Sequence, residues 1–209
     1  EDPFPFYEPQ GNISFGLNLD GKMGPNDLQS PTGVKGIDNQ LYRAVGCILG
    51  YRDGGSIWYF DTADLLQNRA NRIVIELTGV DDLLNDDDVT VTPYRGLDGF
   101  YRNAKGDLDG GGVQRIDLRW GQPYIYRLGG KIVDGVMTTK PVDDFRLIWS
   151  MGEKLGGHQL FQGFRMHLEL SPKSAKGLFA GYVDTDELDY NFNTSWTTHL
   201  AAYGHVSAP

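Results

Sequence analysis

Five oxygen-bearing side chains crowd one stretch rich in Gly and Pro: Asn18, Asp20, Asp27, Asp38 and Asn39. Carboxylates and amide carbonyls suit a hard cation, and calcium takes about six to eight oxygens from loops bent by glycine. Asn18-Leu19-Asp20-Gly21 sets oxygen side chains on alternate residues ahead of a glycine, and Asp38-Asn39 stand ready to close the sphere. The stretch is not an EF-hand, because a loop counted from Asn18 reaches Gln29 where that motif needs Glu. Ca2+ is the expected cofactor, with these five residues as its ligands. The competing reading is that Asp, Asn and Gly mark turns for conformational reasons alone. Two further acidic groups, Asp81 to Asp88 and Asp107 with Asp109, are secondary candidates.

A second constellation lies late in the chain. Tyr182, Asp184, Asp186, Tyr190 and Trp196 mix aromatic rings with carboxylates. Aromatic faces stack on sugar rings and carboxylates accept hydrogen bonds from sugar hydroxyls, so the expected ligand is a carbohydrate. A polysaccharide hydrolase or lyase is the alternative. A glycosidase needs two carboxylates about 5–10 Å apart, whereas Glu76, Asp117 and Glu169 stand singly in their strands. His158, His167, His199 and His205 lack the tight spacing of a zinc site. No nucleophile elbow, phosphate-cradling loop or dinucleotide fingerprint is present.

Composition narrows the setting. The chain has 209 residues and a net charge of −9, with no run of Lys and Arg. Nucleic acid and anionic membrane surfaces are therefore unexpected partners. One cysteine, Cys47, excludes an intrachain disulfide, and its apolar neighbours mark it as a small buried hydrophobe. No run reaches the roughly eighteen apolar residues of a membrane-spanning helix. The opening Glu1-Asp2-Pro3 reads as a processed terminus, so a secreted or periplasmic location is expected.

The elements that must position these residues are mostly strands. Gly at 28 residues and abundant Tyr, Phe and Trp favour short strands joined by tight turns. Residues 1–11 form an extended arm alternating Pro with aromatics, and 12–209 form one domain. Strict alternation puts Ile13, Phe15, Leu17 and Leu19 on one face of a strand over 12–19. A helix is expected to open at Gly36–Asn39, capped by Asp38, and a second over 62–70. Strands follow at 57–60, 72–80, 89–92, 113–120, 124–128, 131–139, 145–151, 160–170 and 177–183. The 72–80 and 89–92 strands pair as a hairpin, and Gly129-Gly130 forms a two-residue hairpin turn. In the 160–170 strand, Phe164, Met166, Leu168 and Leu170 face one way, and Arg165, His167 and Glu169 the other. A short helix is expected near 196–203. The predicted fold is an antiparallel β-sandwich of jelly-roll type with one or two short helices.

Gly36-Ile37-Asp38-Asn39-Gln40-Leu41, followed by Gly46-Cys47, resembles a segment of uncharacterised exported bacterial proteins. The resemblance implies export and no activity. The sequence thus points to an exported binding or accessory protein, calcium-stabilised, that recognises a carbohydrate or a protein in a larger assembly.

Overall fold

The computed structural model describes residues 11–40, 72–99, 101–106, 112–118, 125–149 and 157–186. Two short strands, β1 (Leu28–Gln29) and β2 (Lys35–Ile37), pair antiparallel. The remaining strands are β3 (Ile73–Thr78), β4 (Asp86–Arg95), β5 (Leu128–Val133), β6 (Val136–Thr139), β7 (Phe145–Trp149), β8 (Gly157–Ser171) and β9 (Ser174–Tyr182). They form one antiparallel sheet in the order β3-β4-β5-β6-β8-β7, with β9 also on β8. The chain therefore meanders, each strand lying beside its predecessor until β8 takes β6 and β7 along one edge and β9 along the other. The mainly β, antiparallel character follows the sequence pattern. Among the described residues no helix is long and apolar enough to cross a membrane.

Alternation decides which face is buried. In β5, Leu128, Gly130 and Ile132 are buried while Gly129, Lys131 and Val133 are exposed. Val89 and Val91 of β4, Met137 of β6, Phe145 and Leu147 of β7, and Phe164 and Met166 of β8 complete this core face. Leu168 and Leu170 pack against it, as the alternation of β8 predicts. Phe145 and Phe164 stack with centroids 3.7 Å apart at the centre of the core. The sheet curls. Ile73, Pro93 and Arg95 of the β3–β4 ribbon line one small groove together with Phe145 and Leu147 of β7, although these strands do not pair.

The curl has a local device. Asp144 and Gly163 both hold left-handed backbone, with φ of +57° and +62°. Val142 bridges Phe164 and Phe145 pairs Phe161, so two residues intervene on each strand, and all four flanking side chains still reach the core. Ordinary alternation would turn one pair outward. The kink is stitched by Gly163 N donating to Asp143 Oδ1 at 2.8 Å and Gln162 Nε2 donating to Asp144 Oδ1 at 2.9 Å.

Several expectations are corrected. The hairpin turn is Asp134-Gly135, with φ of +50° and +79°, the left-handed pair a tight antiparallel turn requires. Gly129-Gly130 lies inside β5, where Gly130 pairs Thr139 and Val89. Residues 12–19 make only a parallel bridge, Ile13 to Gln29. Ile13 and Phe15 are exposed and Ser14 is buried, because Leu17 O accepts from Asp38 N and the chain wraps around Asp38 instead of extending. Gly36-Ile37 belongs to β2, and Gly36 has φ of +80°, so no helix opens there. Residues 113–118 also form no strand beyond one bridge, Ile116 to Gly96. Val113 is exposed and Asp117 buried, because Asp117 N donates to Arg95 O at 2.7 Å and its carboxylate stands 4.0 Å from the Arg95 guanidinium. Asp86, Asp87 and Asp88 begin β4 and are not part of the turn. The expected arm, the 57–60 strand, the helices near 41–49, 62–70 and 196–203, Cys47, Asp107 and Asp109 lie outside the described residues.

Candidate functional site

The early loop of the first constellation and Tyr182 of the second both lie against β8. Arg165, on the outer face of β8, donates from Nη2 to Leu19 O at 2.8 Å. That bond ties the 16–24 loop to the sheet across 146 positions of sequence. Tyr182 ends β9 opposite Gln162. Its ring lies over Gly163, where an added Cβ would sit 3.7 Å from Cδ2. Partial burial, and then the negative charges of Asp38, Asp20 and Asp27, push the Tyr182 phenol above its usual range, with Arg165 opposing them. Tyr182, expected to bind sugar, is thus near enough to Asp38, Asp20 and Asp27, expected to bind calcium, to feel their charge.

Those ligands serve the backbone. Asp38 Oδ2 accepts from Leu19 N at 2.6 Å and from Asp20 N at 3.3 Å. Asn18 accepts from Gly21 N at 2.7 Å and donates to Lys22 O at 2.8 Å, closing a tight loop on itself. Asp20 accepts from Lys22 N, and Asp27 accepts from Gly24 N. Asn39 donates to Ser14 Oγ at 3.0 Å and Phe15 O at 2.8 Å, away from the loop. Gly36 is required where β2 meets this loop, since a Cβ there would stand 2.5 Å from Lys22 O and overlap the Asn18 amide. Among the described residues, no group of three or more His, Cys, Asp or Glu side chains is arranged to hold a metal ion.

The other sequence candidates disperse. Asp184 Oδ1 accepts from Asp186 N at 2.8 Å, and both are exposed just after β9. Tyr190 and Trp196 lie outside the described residues. Asp86 organises the β3–β4 loop, accepting from Asp81 N at 2.6 Å and Asp88 N at 3.0 Å. Hydrogen bonds from these amides hold its carboxyl below the usual range. Glu76 accepts from the Tyr94 hydroxyl at 2.9 Å, which pushes that phenol up. Asp117 faces Arg95, and Glu169 is exposed on β8 opposite Lys176. Glu76 and Glu169 are four strand spacings apart in the sheet, roughly 19 Å along it. Glu76 and Glu169 are therefore not brought together as a pair.

Sequence reasoning did not find Arg165. It stands between apolar neighbours at an outward position of β8, which reads as an ordinary solvated cation. Only the packing of the 16–24 loop shows it as the link between two remote segments. No protein-family model matches this chain, and no curated protein or solved structure matches it significantly.

Proposed function

We propose that this is an exported binding or accessory protein whose ligand is a carbohydrate, held at the corner where Tyr182 meets the 18–38 loops. The observation that carries this reading is the setting of Tyr182. The residue is 45% exposed, its ring is backed by Gly163, and its phenol feels the negative charge of Asp38, Asp20 and Asp27. An exposed aromatic face beside hydrogen-bond acceptors suits a sugar ring, whose apolar face stacks while its hydroxyls donate. Calcium belongs to the same reading, as a hard cation suited to the oxygen-rich 18–39 stretch whose negative charge reaches Tyr182. A β-sandwich is its architecture: Val89 and Phe164 are fully buried on one face of the sheet, and a one-sided apolar sheet needs a covering layer.

A glycan array with purified protein tests the ligand. Retention of neutral or charged glycans that disappears in Tyr182→Ala supports the site, and reducing-end release assayed in parallel would favour the hydrolase alternative. Retention unchanged in Tyr182→Ala would remove this corner from the reading. For calcium, the expected outcome is a melting temperature that rises with added Ca2+ and falls with chelator. An identical melting curve in both would leave the carboxylates as turn-formers only.

A further inference from the structure

An open sheet edge offers unpaired backbone N–H and C=O groups to another strand. Among the described residues β7 and β9 each pair only β8, and β3 pairs only β4. Two of these edges are blunted. β9 carries Lys176 and two glycines, Gly177 and Gly181, and its register with β8 shifts near its end. β7 is obstructed at its start, where the Tyr126 hydroxyl accepts from Arg146 N at 3.0 Å and donates to Asp144 O at 2.8 Å. β3 has none of these protections. Ile73 to Thr78 pair β4 without a register shift, and the strand holds no Lys, Gly or Pro. Its one charge, Glu76, accepts from the Tyr94 hydroxyl of its own sheet at 2.9 Å.

The ladder decides which way the β3 backbone points. Hydrogen-bonded and non-hydrogen-bonded pairs alternate along antiparallel strands. Gly96 N donates to Arg72 O at 2.7 Å, and these two residues continue the register in which Ile73 meets Arg95. Val74, Glu76 and Thr78 therefore bond β4, while Ile73, Ile75 and Leu77 turn their N–H and C=O to the open edge. Pro93 agrees with this phase: it stands opposite Ile75 and has no N–H to donate. The same three residues carry their side chains on the core side of the sheet. Ile73 and Leu77 pack against the core, whereas Ile75 is 38% exposed.

We propose that this edge is filled by β3 of a second copy, antiparallel across a two-fold axis at Ile75, so that two sheets join into one. Directly opposed residues share a face. Ile75 then meets its own copy, and Ile73 meets Leu77. The edge-facing residues are symmetric about Ile75, so this register engages all three, with about two hydrogen bonds per pair. It also sets Glu76 opposite Val74. Centring the axis on Glu76 would oppose two carboxylates and leave Ile73 beyond the end of the partner strand. The edge is thus complementary to itself, a symmetry that a foreign strand would not require. A contact of this kind is isologous and closes at the dimer. The net charge of −9 on each copy opposes it, so the dimer should tighten as salt screens the repulsion. The contact involves neither Tyr182 nor the early loop, and it stands or falls independently of the carbohydrate reading.

Sedimentation of the full chain over a range of protein and salt concentrations tests it, with hydrogen exchange read along β3. The expected result is a reversible monomer–dimer equilibrium, tighter at higher salt. The amides of Ile73, Ile75 and Leu77 should be protected in the dimer and released on dilution, while those of Val74 and Glu76 stay protected by β4. Ile75→Lys places two ammonium groups opposite each other on the axis and should weaken the dimer at least about tenfold. Ile75→Pro removes an edge-facing N–H and leaves the β3–β4 bonds in place, and should weaken it as well. If either variant misfolds, the exchange pattern of the unaltered chain decides. A chain that stays monomeric at roughly millimolar concentration would overturn the proposal, and so would a dimer indifferent to both substitutions. A monomer whose Ile73, Ile75 and Leu77 amides stay protected at every dilution would overturn it too, since another segment of the same chain would then cover the edge.

Discussion

Replacing Phe164 by Ala tests whether the core is organised as described. The ring is fully buried, stacks on Phe145 at 3.7 Å and meets Phe161 and Phe179 at 5.6 and 5.8 Å. Removing a buried Phe ring costs about 3–5 kcal/mol through lost transfer energy and the cavity left behind. Loss of the ring pairs adds about 0.5–1.5 kcal/mol each beyond area, and partial collapse of Met166 and Phe179 into the space offsets some of that. A destabilisation of about 4 kcal/mol is the central expectation, a large share of the roughly 5–15 kcal/mol that holds a domain folded. At this chain length the melting temperature should fall by roughly 10 °C. Urea unfolding followed by tryptophan fluorescence measures the free energy, and Phe179→Ala is the internal control. Phe179 is 42% exposed, so its removal should cost about 1–2 kcal/mol. A loss under about 1 kcal/mol for Phe164→Ala, or equal losses for the two variants, would refute the placement of the core centre.

Gly177→Ala should break the β8–β9 pairing, because its Cβ would overlap the His167 carbonyl oxygen and stand 2.8 Å from Leu168 Cα; hydrogen exchange localised to both strands checks this. Asp86→Asn should flatten the acid end of the stability profile. Its folded carboxyl lies below the unfolded value of about 3.9, so its contribution is present above that value and lost as pH falls through the lower folded one. A melting-temperature series from neutral to strongly acidic pH in both proteins reads the difference. Tyr182 should ionise late. Its folded pKa lies above the ordinary ~10, so its contribution is full below that value and lost as pH rises through the folded one. Ultraviolet titration should show late-titrating phenols, Tyr94 and Tyr182 among them, of which Tyr182→Phe removes one, and an unchanged titration curve would contradict the corner's geometry.

Sequence by itself determined the strands whose side chains meet neighbours on one face only. The alternation of Phe164, Met166, Leu168 and Leu170 against Arg165, His167 and Glu169 places β8 and its faces, because period-two burial is a local property of extended chain. The β3–β4 hairpin is legible for the same reason. Read from sequence, one strand runs through 131–139 and the turn falls at Gly129-Gly130; the signal passed over is Asp134-Gly135, since Asp-Gly between alternating residues favours a hairpin, while Gly130 sits inside β5 where a Cβ would stand 3.0 Å from Thr138 O. Alternation misled over 12–19 and 113–118, where Asp38 and Asp117 draw the backbone to distant partners.

Tertiary structure alone decided what those elements bring together. Nothing in the local pattern joins Leu19 to Arg165, or brings Tyr182 within reach of the charges of Asp38, Asp20 and Asp27. The physical reason is range. Periodicity and turn chemistry act over a few residues, whereas charge clustering and loop docking depend on which strands pair, and pairing is fixed by burial summed over the whole sheet.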